Sequence, residues 1–386
     1  MEKEENRKMN HVIFRSRVKH ILSAGVSLLS LGLTGLLLVA VLLGGKTGTS
    51  SGPDQKNKNL MNSFDMYMTN RLSDALEGVL DVEKVYWLHD EDVVAPEPDP
   101  AKFGTASDPA SLQWLLDEAR DLLGVEGTIF STDVQLLPGS EITYYLDETI
   151  FCITWKTPIG TANYTFSEVK IAHPSQFRRF LADGTYGSER QYYTTDMAAS
   201  VNAVTASNGD FYKFRPFGIV VYNGKVCRVD SRVDTCFVDD QGQLIFVRAG
   251  QITDWDAAQR FVDEHNIRFS MAFGPVLIED GKNVVPEEYI VGEINGNFSR
   301  AAICQVEQLH YLLAVTGYEE QYRFMPTTGD FGDVLVKMGV KRAYCLDGGQ
   351  TAAIVTGDKL INRPNYGVQR TVSDIIYFAT AVPDGG

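Results

Sequence analysis

Apolar and polar positions change their rhythm along the chain. Residues 21–45 are uninterrupted by charge, a run long enough to span a bilayer as a helix. Leu60, Phe64, Met68, Leu72, Leu76 and Leu80 recur every fourth position, which predicts a helix over 60–80. Residues 90–110 are acidic and proline-rich and read as a loop. Ser111 is placed to cap a helix over LQWLLDEARDLL, with Gly124 ending it. From about residue 150 the texture shifts to short apolar runs closed by turn residues. FCITWKT and YTFSEVKIA predict strands, and PSQFRRFLA predicts a short helix started by proline.

Hairpins are predicted next, at Asn223-Gly224, near Gly242, at Asp280-Gly281 and at Thr356-Gly357-Asp358. Asp254 caps a predicted helix over WDAAQRFVDEHN, and Phe331, Val334, Leu335 and Met338 mark another. Hairpins with scattered helices predict an α+β fold of mixed, largely antiparallel sheets rather than a βαβ alternation. The organisation expected is a basic tail (1–20), a transmembrane anchor (21–45), a linker (46–59), a helical region (60–145) and a folded domain (146–386).

Charge sharpens this picture. Residues 1–60 hold nine Lys/Arg against four Asp/Glu, a net +5, so the rest of the −15 chain carries −20. The basic flank before residue 21 predicts a single-pass signal-anchor with a cytoplasmic N-terminus and an extracellular domain. An acidic body excludes a nucleic-acid partner and requires any anion site to be a local basic pocket. The five cysteines are scattered; Cys227 and Cys236 are close enough in sequence to bridge, but buried thiols are the expected state. No His-Glu-x-x-His, phosphate loop or Gly-x-Ser-x-Gly occurs, so no metal and no cofactor is expected.

What remains is carboxylates, arginines and amides. Asp347 ends the apolar run AYCL and is followed by Gly348 and Gly349, which permit a sharp bend beside exposed N–H groups. Asn208-Gly209-Asp210 likewise closes the run AVTA. Each, taken alone, also fits an ordinary turn.

The string YCLDGGQTAAIVTGDKLINRP, with QRTVSDIIYF after it, resembles the C-terminal signature of the phosphodiester glycosidase family. AVTASNGDFY (203–212), FGPVLIEDGK (273–282) and Arg300 in NFSRAAI match further pieces in the family's order. The family's Asp-Gly-Gly-Gly-Ser-Ser is here Asp347-Gly348-Gly349-Gln350-Thr351-Ala352, and its Asp-Gly-Arg is here Thr316-Gly317-Tyr318. The resemblance implies hydrolysis of the anomeric C–O bond of sugar-1-phosphodiesters of the GlcNAc-1-phosphodiester type, in cell-envelope or exopolysaccharide metabolism. It implies Asp210, Asp347 and Arg300 as catalytic residues. Asn208, Gly348, Gly349, Gln350, Thr351, Arg363 and Arg370 would bind a phosphodiester-linked glycan. The alternatives are a non-catalytic glycan-binding or structural envelope protein on the same fold, and a metal-dependent phosphodiesterase, which lacks a His cluster.

Overall fold

The computed structural model describes residues 94–124, 141–290, 294–317 and 325–381. The expected tail, anchor, linker and 60–80 helix lie outside these residues. Among the described residues no helix is long and apolar enough to cross a membrane.

Nine strands form the largest sheet. Their order is β1 (Phe103–Ala106), β2 (Ile142–Leu146), β3 (Ile150–Ile159), β4 (Ala162–Ile171), β15 (His310–Gly317), β14 (Ala301–Glu307), β16 (Arg342–Leu346), β12 (Val276–Glu279) and β13 (Lys282–Asn283). A second sheet has the order β18 (Lys359–Leu360), β17 (Ile354–Thr356), β6 (Thr205–Asn208), β19 (Asp374–Phe378) and β5 (Phe177–Leu181). Every pairing within both sheets is antiparallel. Smaller sheets pair β9 (Thr235–Asp239) with β10 (Leu244–Val247) and β11 (Ile267–Met271), and β7 (Val220–Tyr222) with β8 (Lys225–Arg228). The α+β class with largely antiparallel sheets is therefore borne out.

The two large sheets meet through buried hydroxyls as well as hydrocarbon. Thr154 of β3 lies 2.8 Å from Thr356 of β17, and Ser167 of β4 lies 3.0 Å from Thr205 of β6. Buried hydroxyls are retained when they satisfy one another in this way. Around them Trp155, Phe166, Phe177, Tyr311 and Phe378 fill the main core.

Several expectations hold in detail. Asn223 (φ 49°) and Gly224 (φ 70°) form the β7–β8 turn, and Asp280 (φ 50°) with Gly281 (φ 72°) the β12–β13 turn. The helix Trp255–Glu264 is capped by the Asp254 side chain, and a helix covers Thr328–Lys337. All five cysteines are free thiols, so Cys227 and Cys236 do not bridge.

Others need correction. The 109–123 helix is capped by Asp108, with Ser111 reciprocating from the third helical position. Residues 103–106 form β1 within the expected loop, and β2 opens inside the expected helical region. PSQFRRFLA is a single 3₁₀ turn followed by strand β5, not a helix. The reason is tertiary: Arg179 on β5 is fully buried and belongs to an ion cluster.

Arg179 reaches Asp210 and Asp374, each at 2.9 Å from Nη2, while its Nε donates to Asp374 at 3.0 Å. Its Nη1 donates to the Ser270 carbonyl on β11. The cluster thus ties β5, β19, β11 and the exit of β6 together. Burial holds the Asp374 carboxyl above its ordinary range, and Arg179 opposes that shift. Removing the cation from two buried carboxylates costs about 3–5 kcal/mol. We expect Arg179→Met to lose stability on this scale at about pH 8, and less near pH 5, where protonation relieves the orphaned carboxylates. Urea unfolding at the two pH values measures the difference.

Candidate active site

The C-terminal end of β16 delivers Asp347 to the lip of a cavity of about 350 Å³. Arg215, Phe273, Phe298, Ser299, Arg300, Cys345, Leu346, Gly348 and Gly349 complete its lining. Such a volume lies within the range of small-molecule sites. A larger cavity of about 580 Å³ lies between residues 97–105, 198–203 and 356–359. None of the sequence-predicted site residues lines it, whereas Arg300, Asp347, Gly348 and Gly349 line the smaller one.

The bend after Asp347 is set by a close approach of backbone to backbone. A Cβ on Gly348 would stand 2.4 Å from the Ser299 carbonyl oxygen, so only glycine fits. Gly349, at φ 66°, donates its N–H to that same carbonyl at 2.7 Å. The Gly349 N–H is therefore committed to Ser299 rather than offered to a ligand. Thr351 is buried, and its hydroxyl donates to the Gly348 carbonyl at 2.7 Å. Asn208 Nδ2 donates to the Asp347 carbonyl at 2.7 Å, while its Oδ1 accepts from Ala353 N–H at 3.1 Å. Asn208 and Thr351 thus hold the Asp347 loop from behind.

Asp347 is half-buried. Burial raises its carboxyl from 3.8 to about 6; the Thr351 hydroxyl and the charges of Arg215 and Arg370 act in the opposite direction. At neutral pH it is ionised yet close to its midpoint, as suits a base or nucleophile. Burial pushes the neighbouring Cys345 thiol up to about 12, so it stays protonated.

The two aspartates expected to work together part company. Asp210 is 3% exposed and does not line the cavity. Its carboxylate accepts from Tyr212 N–H (2.8 Å) and Ala272 N–H (2.7 Å) and pairs with Arg179. Asp210 lies buried at the start of the loop leading to Arg215, and the structure does not bring it into the cavity lining with Asp347. Arg300 lines the cavity, but Nη2 donates to the Gly296 carbonyl at 2.5 Å and Nε to the Pro326 carbonyl at 3.5 Å. It braces its own loop. Arg363 is exposed beside Gly367, away from the cavity lining, and Gln350 reaches the Val368 carbonyl at 3.4 Å.

Cationic charge reaches Asp347 instead from Arg370, as expected, and from Arg215, which the sequence reading passed over. Arg215 packs over Phe273 at 4.3 Å and Phe211 at 5.6 Å, and Arg370 lies over Phe211 at 5.5 Å. Among the described residues, Arg215 Nη1 is buried without a hydrogen-bond partner. A guanidinium nitrogen left over beside a cavity is a place for an oxyanion. The signal in the sequence was FYKFRPF, basic residues interleaved with aromatic ones directly after Asn-Gly-Asp.

No cluster of three or more His, Cys, Asp or Glu suited to a metal occurs among the described residues.

Residues 201–379 match the family model described as phosphodiester glycosidase, so the resemblance read from the sequence is borne out. No curated protein matches the chain. A protein of unassigned function from Synechocystis aligns at 16% identity and TM-score 0.44, over 61% of this chain and 63% of its own. The zebrafish N-acetylglucosamine-1-phosphodiester α-N-acetylglucosaminidase catalytic domain, auto-inhibited by its pro-peptide, aligns at 13% identity and TM-score 0.46. That match covers 77% of this chain and 99% of the zebrafish chain.

The raised Asp347 carboxyl carries a sign for stability. A carboxyl lifted from 3.8 to about 6 on folding is destabilising once ionised, so stability falls as pH rises through that window. The interval bounds the effect at about 3 kcal/mol, and residual solvent contact reduces it. We expect Asp347→Asn to be about 1–3 kcal/mol more stable than the parent at about pH 8 and no more stable near pH 4. Denaturant midpoints at both pH values check this.

Proposed function

We propose that this chain, whose residues 201–379 form a phosphodiester glycosidase domain, hydrolyses the anomeric C–O bond of sugar-1-phosphodiesters. One observation supports the reading most directly. An ionised carboxylate, Asp347, shares a small cavity with Arg215, whose free Nη1 has no partner among the described residues, and feels Arg370 as well.

In this arrangement the two arginines bind the phosphodiester's single negative charge, Arg215 by a directed N–H. The sugar sits against Asp347. Asp347 is the only carboxylate among the described lining residues, whereas ordinary glycosidases use two. The difference follows from the leaving group. A phosphate monoester departs as a stabilised anion and needs little protonation, so a dedicated acid is dispensable. The positive charge developing at the sugar still requires an anion, which Asp347 supplies while acting as nucleophile or as base for water. Water's oxygen ends on the anomeric carbon, and the ester oxygen leaves with phosphate. Asp210 contributes by fixing the loop that carries Arg215. In the same reading the substrate is a GlcNAc-1-phosphodiester of the cell envelope or an exopolysaccharide. The domain is held outside the cell by residues 21–45.

Incubation with the methyl phosphodiester of α-GlcNAc-1-phosphate in ¹⁸O-water tests the bond cleaved. We expect the label in the sugar and none in phosphate, read by mass spectrometry and phosphorus NMR. Label in methyl phosphate beside unlabelled sugar, or labelled sugar-1-phosphate beside methanol, would mean P–O cleavage and overturn the reading.

The same assay addresses the residues. Asp347→Asn is expected to lower kcat by about 10³-fold or more, and Arg215→Ala to lower kcat/KM by about 10²-fold. The parent's rate should rise with pH through an apparent pKa near 6.

A further inference from the structure

We infer that the mouth of this cavity is an apolar subsite for the alcohol side of the phosphodiester, formed by Phe214, Tyr366 and Val368; the inference rests on the hydrolytic reading above. Its occupant is a phosphodiester whose alcohol is a hydrocarbon chain.

Large apolar side chains exposed one at a time are ordinary on a protein surface; several around one site are not. Tyr366 is 78% exposed, Val368 59% and Phe214 42%. Each lies within about four residues of an arginine whose charge reaches Asp347. The Phe214 ring stacks on Phe211 at 4.6 Å, and Phe211 is the ring over which both Arg215 and Arg370 lie. Val368 precedes Arg370 by two residues, and its carbonyl accepts from Gln350, next to the cavity-lining Gly349. The turn Asn365–Gly367, which carries Tyr366, packs against the turn Gly349–Thr351.

The backbone of Tyr366 strengthens the case. It lies at φ 61°, ψ 10°, a left-handed conformation that costs an aromatic residue stability. The strain secures no packing within the fold, because the ring is held out into solvent. Strain at an exposed aromatic beside a charged cavity is the signature of a ligand contact rather than of a structural one.

Charge complementarity sets the order of the groups. Asp347 fixes where the anomeric carbon goes, and the arginines fix the phosphate. Phe214, Tyr366 and Val368 belong to the same two chain segments as those arginines, so they are assigned to the leaving alcohol. Nothing they present recognises a polar alcohol by charge. Hydrocarbon is what their surfaces match.

The test compares methyl and octyl phosphodiesters of α-GlcNAc-1-phosphate on the full chain, with the octyl ester kept below its micelle threshold. Burying two methylenes is enough for about tenfold. We expect octyl to exceed methyl in kcat/KM by at least about tenfold, and the ratio to fall toward one in the double variant Tyr366→Ser, Val368→Ser. Tyr366→Gly serves as a second variant, since glycine adopts the same backbone without strain. It should lower the ratio too. A ratio near one in the parent, or a ratio unchanged in both variants, would overturn the subsite. If neither ester is hydrolysed, the hydrolytic reading fails separately. Calorimetric Kd values on the same proteins then decide the subsite: tighter octyl binding lost in the variants upholds it, and equal Kd values overturn it.

Discussion

Everything around the cavity is referred to one buried charge cluster. Asp210, Arg179 and Asp374 put two carboxylates and one guanidinium into the interior, a net negative charge that an apolar core would reject. It is tolerated because backbone donors complete what Arg179 leaves open. The N–H groups of Tyr212 and Ala272 serve Asp210, and the N–H of Asp210 itself serves Asp374 at 3.1 Å. The packing is tight enough that a Cβ on Gly209 would lie 1.9 Å from Asp374 Oδ2. With Gly209 pinned, its carbonyl accepts the Asp347 N–H at 3.2 Å, and the loop beyond it leads to Arg215. The carboxylate in the cavity and the cation facing it thus share one foundation.

The hairpins were legible because their turns need φ > 0, and Asn-Gly or Asp-Gly at those positions announces it locally. Strand β1 was hidden in an acidic, proline-rich stretch, a composition that suits a sheet edge as well as a loop. Strand β5 differs from the helix that the opening proline of PSQFRRFLA predicts, because an arginine pair carries no local sign of burial. Asp210, Ser270 and Asp374, all distant along the chain, make Arg179 an interior residue. The same distance explains the two aspartates. Asp210 and Asp347 carry the same local mark, a carboxylate at a strand end beside glycine. Which one turns inward depends on residue 179, and no local pattern encodes that. Arg215 escaped notice for a related reason: its importance lies in an unmatched nitrogen, a property of the fold.

The chain's acidity and the site's basicity are reconciled by aromatic surface. A body carrying −20 beyond residue 60 repels anions at long range. Arg215 and Arg370 counter this over a few ångströms only; both lie over Phe211, Arg215 half-buried and Arg370 exposed. Burial raises the Asp347 carboxyl, and the Thr351 hydroxyl followed by the two arginines opposes that rise, so the carboxylate is still ionised at neutral pH. The aromatic residues therefore position these charges as well as shaping the cavity.

The order of the second sheet has a consequence for how the chain is made. Its strands run β18-β17-β6-β19-β5, so β19 lies between two strands that precede it in sequence by well over a hundred residues. A ribosome, or an export channel feeding the chain N-terminus first, releases β5 and β6 long before residues 374–378 emerge. Until then both expose unpaired edges, and Arg179 has only one of its two carboxylates. The inner sheet therefore cannot close as the chain emerges. It stays open until β19 is released and brings Asp374, so a nascent chain is exposed to pairing with its neighbours until that strand arrives.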